Sequence, residues 1–156
     1  MLNLSNNLLT VCHNLVLAIE EDSKYSKEFS NENSAKQLQV ETVNIAGKQR
    51  MLSQRLCLYY TACRLFRKDK KNGKSLCKAV KTIYEEMNTS LNKLLINDLN
   101  SFAIEENIGQ ILTMFNDIEA SKNDFFNNKY PLSKIMSLCN KITDQYNIIT
   151  GQYSSL

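Results

Sequence analysis

Residues 44–55 read NIAGKQRMLSQR and lie within the longest helical pattern of the chain. Around them, apolar residues recur at intervals of three, four and seven, which places them on one face of a helix at about 100° per residue. This core stripe comprises Leu38, Ile45, Leu52, Leu56, Tyr59, Cys63 and Phe66. We predict a helix over residues 34–71, about 50 to 60 Å long, with a basic last turn and a stop at Gly73.

A second face of this helix, nearly opposite the core stripe, is small and semi-polar. It carries Val43, Ala46, Gly47, Arg50, Gln54, Cys57 and Thr61. A glycine inside a helix costs roughly 1 kcal/mol relative to alanine, so Gly47 suggests the close approach of another backbone or of a ligand. Arg50 follows it by one turn. Residue types alone favour the simpler alternative, in which Gly47 is a tolerated weak point and Arg50 and Arg55 are solvated.

The same twelve residues resemble the signature of the PilJ and NarX-like sensor domains. These are the ligand-binding four-helix bundles of nitrate/nitrite-responsive histidine kinases and of some chemotaxis transducers. The family pattern is close to Asn-x-Ala-Gly-x-x-Arg-Met-x-Ser-x-Arg, and all its fixed positions are present, as Asn44, Ala46, Gly47, Arg50, Met51, Ser53 and Arg55. Outside this stretch the resemblance rests on the helical pattern alone.

The resemblance implies an anion site at the axis of a homodimer. Arg50 would bind the anion where two parallel copies of the helix meet, and Gly47 would let the helices approach. Arg55 would orient the site or pair with a carboxylate. The expected ligand-binding residues are Arg50, Gly47, Arg55, Ala46 and Gln54. The implied ligand is nitrate or nitrite, and the implied downstream partner is a histidine kinase or a chemotaxis signalling component.

The rest of the chain predicts an all-α fold. Only four glycines and one proline occur among 156 residues, of which 43% are hydrophobic, and this composition suits one domain with a single core. Apolar stripes at helical spacing cover residues 75–97, residues 102–127 and a segment that has Pro131 in its first turn. We therefore predict an up-down-up-down four-helix bundle over residues 34–156, preceded by an additional N-terminal helix and a polar hinge within residues 1–33.

Several classes of function are disfavoured by composition. The formal charge of +3 is spread along the chain, unlike the basic patch of a nucleic-acid binder. The longest apolar run in the N-terminal segment has five residues, Leu15 to Ile19, against about 18 for a membrane span. His13 is the only histidine, which argues against multi-histidine metal sites. Because no catalytic motif is present, we predict a protein that is not an enzyme and has no cofactor or metal.

The cysteines are odd in number and include no C-x-x-C pair. They are Cys12, Cys57, Cys63, Cys77 and Cys139. Most lie on apolar stripes, where free thiols behave as small hydrophobes, and such thiols are easier to keep in a reducing compartment. We expect a cytoplasmic location if this is the complete chain, which these features favour, and a periplasmic one if it is an excised sensor segment.

Two alternatives to an anion sensor stay open. The chain could be a helical dimerisation or interaction module that keeps the motif without a small-molecule ligand. A thiol-based redox protein is the third reading, because Cys57 lies on the second face beside Gln54. Calorimetry with nitrate and nitrite separates the first two. The pKa of Cys57 tests the third, since a sensor thiol titrates well below the value of about 8.5 for free cysteine.

Overall fold

The computed structural model describes residues 31–66, 69 and 72–156, together with positions 7, 10, 11, 14, 15 and 18. All regular structure in these residues is helical, so the predicted all-α class is confirmed. Most of the predicted N-terminal helix and hinge lies outside the described residues. The chain forms two compact units, Met1–Val40 and Glu41–Leu156, and the contacts reported below lie within the second.

The described helices are α1 (Asn31–Leu65), α2 (Asn72–Leu95), α3 (Phe102–Ala120), α4 (Lys122–Phe126) and α5 (Leu132–Ser154). The predicted end of the first helix is wrong, because α1 stops at Leu65. Gly73 does not close α1. It lies in the first turn of α2, where its backbone N–H donates to the carbonyl of Asp69 at 2.9 Å.

The predicted helix over residues 102–127 is divided at Ser121. This residue leaves the helical region, with φ −114° and ψ 24°, and its N–H donates to the carbonyl of Ile118 at 3.0 Å. The short helix α4 then places Phe125 in an aromatic cluster, where its ring stacks on Tyr60 at 5.1 Å and contacts Tyr84 at 5.5 Å. Pro131 precedes α5 as its N-cap residue rather than lying in its first turn.

Neighbouring helices run in opposite directions, as an up-down-up-down bundle requires. Residue numbers rise along α1 while those of its partners fall, in the pairs Thr42–Asn97, Lys48–Glu86 and Cys63–Cys77 with α2 and in Arg50–Asn147 and Ser53–Thr143 with α5. The pairs Asn107–Gln152 and Gln110–Gln145 show the same relation between α3 and α5. It follows that α1 and α3 are parallel and that α2 and α5 oppose both.

The core confirms most of the predicted stripe of α1. Leu52, Leu56, Tyr59 and Cys63 are buried and Ile45 is half-buried, whereas Leu38 and Phe66 are exposed. Phe66 follows the end of α1, so helical spacing no longer decides where its side chain points. Tyr60 is buried although it was not predicted to be, and its hydroxyl donates to the carbonyl of Tyr130 at 3.0 Å. A polar atom on a mostly apolar ring is thereby satisfied inside the bundle.

Gln49 is a polar residue in the core with no hydrogen-bond partner among the described residues. It is fully buried, and among the described residues neither amide atom has a hydrogen-bond partner. An unsatisfied buried polar group costs about 1–3 kcal/mol, and methionine has a similar length. We expect Gln49→Met to raise the free energy of unfolding by about 1–2 kcal/mol in urea denaturation. The control is Tyr60→Phe, which removes a satisfied buried hydroxyl and should destabilise. A loss of stability in Gln49→Met would contradict the prediction.

Candidate functional site

The predicted ligand-binding residues occupy two and a half turns of α1, and the structure brings three of them together. Gly47, Arg50 and Gln54 lie along the edge of α1 that faces α5. Ala46 is fully buried, so its side chain shapes the packing of α1 and cannot line an open surface. The predicted second face is thus largely packed against α5 of the same chain.

We call this contact the α1–α5 seam. It consists of Gly47, Arg50, Ser53, Gln54 and Cys57 on α1 and of Cys139, Asn140, Thr143, Asn147 and Thr150 on α5. The contact of α5 with this face of α1 was not predicted from the sequence, which indicated only that Cys139 lies on the apolar stripe of its helix. Asn140 and Asn147 are exposed, and Thr143 and Thr150 are half-buried. Such neutral polar side chains resemble an ordinary solvated helix face, so no local signal marks them.

The middle of the seam is a small network of neutral hydrogen bonds. The hydroxyl oxygens of Ser53 and Thr143 lie 2.6 Å apart, so one donates to the other. The Gln54 amide donates from Nε2 to Thr143 Oγ1 at 2.8 Å and to Asn140 Oδ1 at 3.2 Å. Asn140, Thr143 and Asn147 lie at successive turns of α5, and each accepts a hydrogen bond from α1. These hydrogen bonds fix the register of α1 against α5.

Arg50 lies at one end of the network. Its Nε donates to the carbonyl oxygen of Gly47 at 3.3 Å, and its Nη1 donates to Asn147 Oδ1 at 3.2 Å. A Cβ atom at position 47 would lie 3.5 Å from Arg50 Nη2 and 4.0 Å from Thr150 Cγ2. Glycine at this position therefore leaves room for the arginine to fold back along its own helix.

Among the residues that the structure describes, the positive charge of Arg50 has no acidic partner. Both of its hydrogen-bond acceptors are neutral oxygens, and the ion pairs found among the described residues are Lys48–Glu86, Lys81–Glu85 and Lys122–Glu119. The side chain is exposed. A guanidinium carries five N–H donors in a planar fork, and Nη2 makes no hydrogen bond to any residue that the structure describes. Arg50 is thus oriented by its neighbours but not neutralised by them.

Arg55 lies elsewhere on α1, about 140° around the helix from Arg50. Its guanidinium carbon is 5.2 Å from the centre of the Tyr59 ring, and Nη2 is 3.4 Å from the Tyr59 hydroxyl oxygen. No carboxylate in the described part of the chain pairs with it. The structure therefore places Arg55 in a cation–π contact and does not bring it to the seam.

The cysteines differ from the prediction of free thiols. Cys63 and Cys77 form a disulfide between α1 and α2, with Cα atoms 5.5 Å apart, so the prediction is wrong for this pair. Cys57 and Cys139 are free, and Cys12 lies outside the described residues. A hydrogen bond from Cys139 lowers the pKa of Cys57 to about 7, against opposing burial, while the same contact and burial raise the pKa of Cys139.

Three apolar side chains on α1 are left exposed beside the seam. Met51, Leu58 and Leu65 expose 43%, 49% and 72% of their surface. They are spaced by seven residues, so they form one stripe along the helix. Met51 lies one turn after Gly47, so the stripe begins beside that glycine. We call it the outer stripe. The outer stripe was not predicted because its residues lie outside the core periodicity of α1.

Two further observations limit the chemistry of the described residues. They contain no group of three or more histidine, cysteine, aspartate or glutamate side chains that could hold a metal ion. None of their helices combines the length and the apolar character that crossing a membrane requires. Comparison of the chain with protein-family models, with curated proteins and with solved structures found no match.

Proposed function

We propose that this chain is a ligand-binding sensor domain that recognises a small oxyanion, nitrate or nitrite, at the interface of a parallel homodimer. The observation that carries the proposal is Arg50, whose guanidinium is held beside Gly47 by two neutral acceptors and forms no ion pair with any residue that the structure describes. The surrounding NIAGKQRMLSQR stretch resembles the PilJ and NarX-like signature. A histidine kinase or a chemotaxis component would then read the signal.

The charge of Arg50 explains how an anion would act on a dimer. Two facing copies about 8 Å apart repel by about 2 kcal/mol at an effective dielectric constant of 20. An anion midway, about 4 Å from each, attracts them by about 8 kcal/mol in total before desolvation is counted. Binding of the anion therefore turns the net repulsion between the two Arg50 residues into a net attraction. A weakly hydrated anion such as nitrate loses the least hydration free energy on entering such a site.

The outer stripe supports the dimer. Met51, Leu58 and Leu65 repeat every seven residues on the exposed side of α1, which is the spacing at which two parallel helices pack along a shared seam. A second copy of α1 would cover these side chains and bring the two Arg50 residues, each one position before Met51, close to the flank of the shared contact. The occupant that we propose for the stripe is thus another copy of this chain.

The disulfide bears on the compartment. Disulfides persist in oxidising environments and are rare in the cytosol, and Cys63–Cys77 links two helices of the bundle. We therefore favour the periplasmic alternative over the cytoplasmic one. The expectation of a reducing compartment rested on all the cysteines being free.

The outer stripe also favours a second candidate, a helical dimerisation module without a small-molecule ligand. The two candidates share the dimer and differ in whether Arg50 has a ligand. Under the second candidate, Leu58→Lys would abolish dimers, and no anion would bind or change the dimer dissociation constant. Under the first, Arg50→Ala would remove the anion effect while the apolar contacts stay.

The test is titration calorimetry and analytical ultracentrifugation of the full chain in nitrate, nitrite, chloride and sulfate at fixed ionic strength. We expect nitrate or nitrite to bind and to tighten the dimer at least tenfold, which corresponds to about 1.4 kcal/mol. Chloride and sulfate should do less. If nitrate tightens the wild type no more than chloride does, or tightens Arg50→Ala equally, the charge-reversal mechanism is wrong.

A further inference from the structure

Two thiols meet across the α1–α5 seam. Cys57 lies one turn beyond Gln54 on α1, and Cys139 lies one turn before Thr143 on α5. The hydrogen bond between Gln54 and Thr143, at 2.8 Å, holds the two helices in this register. The side chains of Cys57 and Cys139 are hydrogen-bonded to each other. The packing of α1 against α5 therefore places the two thiols next to each other.

The two thiols have different environments. Cys57 is partly exposed, as the approach of a reagent from solvent requires, whereas Cys139 is fully buried. The hydrogen bond from Cys139 lowers the pKa of Cys57 to about 7, which favours the thiolate of Cys57 near neutral pH. Burial and the Cys57 contact raise the pKa of Cys139, which keeps that thiol protonated. Thiolates, and not thiols, attack disulfides.

We propose that Cys57 and Cys139 are an attacking and a resolving cysteine that close a second, reversible disulfide when the protein meets a low-molecular-weight disulfide. The Cys57 thiolate attacks one sulfur of the reagent, forms a mixed disulfide and releases the other half as a thiolate. Cys139 then loses its proton and attacks the Cys57 sulfur, which releases the second half. Overall two protein thiols are oxidised to one disulfide, and the reagent is reduced to two thiols that carry the two protons.

The proposed disulfide differs in its consequence from Cys63–Cys77. The existing disulfide ties α1 to α2, whereas the second would tie α1 to α5. With both closed, α1 would be linked covalently to each of its antiparallel neighbours. The seam beside Arg50 could then no longer open or slide, so the oxidation state of Cys57 would set the freedom of α1.

The experiment uses the full chain as a Cys12→Ser variant, so that the described free thiols are the only ones. The protein is incubated with glutathione disulfide, quenched with acid and mapped by mass spectrometry. We expect a Cys57–Cys139 disulfide, two molecules of glutathione released per chain and an intact Cys63–Cys77 bond. The rate should level off above a pH of about 7, whereas an ordinary cysteine becomes faster up to about pH 8.5.

Two added substitutions separate the roles of the thiols. In Cys139→Ser or Cys139→Ala, the reaction should stop at a Cys57–glutathione adduct, and in Cys57→Ser the buried Cys139 should stay unmodified. The proposal is overturned if the Cys12→Ser protein accumulates the Cys57 adduct while Cys139 stays reduced. It is also overturned if Cys57→Ser consumes glutathione disulfide as fast as its parent.

Discussion

Replacing Arg50 by lysine is expected to abolish most of the nitrate affinity although the positive charge is kept. The guanidinium is planar and can give two parallel N–H bonds to a planar oxyanion, which an ammonium cannot do. Lysine would also lose the contacts to the Gly47 carbonyl and to Asn147 that orient the arginine, at 3.3 and 3.2 Å. The loss of one charge-assisted hydrogen bond, about 1.5–3 kcal/mol, lowers affinity by about tenfold to a hundredfold.

Calorimetry with nitrate measures this effect, and a substitution on the α5 side of the seam offers a second test. Asn147→Asp keeps Arg50 but places a carboxylate where the neutral Oδ1 now accepts its hydrogen bond. The resulting ion pair should compete with the anion and weaken binding in the same direction. Arg55→Lys, which alters a residue packed against Tyr59, should have a much smaller effect. If Arg50→Lys and wild type bind nitrate with equal affinity, Arg50 is not a ligand-binding residue.

Removing the Cys63–Cys77 disulfide should lower the free energy of unfolding by about 3 kcal/mol, the loop-closure value for a loop of this size. The two cysteines are 14 residues apart and join the ends of α1 and α2. Without the bond, the unfolded chain gains the conformational freedom of that loop. Urea denaturation of Cys63→Ala/Cys77→Ala, compared with wild type in the presence and absence of reductant, measures the change.

The same substitution should leave nitrate binding unaltered, because the disulfide faces α2 and Arg50 faces α5. Cys57→Ser is the matched control, since it alters a free thiol of α1 and keeps the disulfide. An identical urea midpoint for wild type with and without reductant would contradict the prediction.

The helical class and much of the core were predictable from the sequence because they depend on local periodicity. Leu52 and Leu56 fall on the core stripe of α1 and are fully buried. The break at Ser121 was not predictable, since neither proline nor glycine marks it. The end of α1 was misjudged because Phe66 continues the apolar spacing beyond the last helical residue, Leu65.

The residues of the candidate site were likewise only partly predictable from the sequence. The sequence motif indicated Gly47 and Arg50, and the second face indicated Gln54; the structure brings all three to one edge of α1. Their partners on α5, such as Asn147, depend on the register of two helices that are far apart in the chain, and periodicity carries no information about register. The Cys63–Cys77 bond was missed for the same reason, because the antiparallel levels of α1 and α2 had to be known.

The distance along the chain between the two sides of the seam has a consequence for folding. Its hydrogen bonds join residues that are 86 to 97 positions apart, whereas the α1–α2 disulfide spans 14. Because closing a long loop costs more entropy before any contact forms, the α1–α2 hairpin should assemble early and the seam late. The contact of Arg50 with Asn147 should therefore form only after α5 has packed, whereas its contact with the Gly47 carbonyl can form within α1 alone.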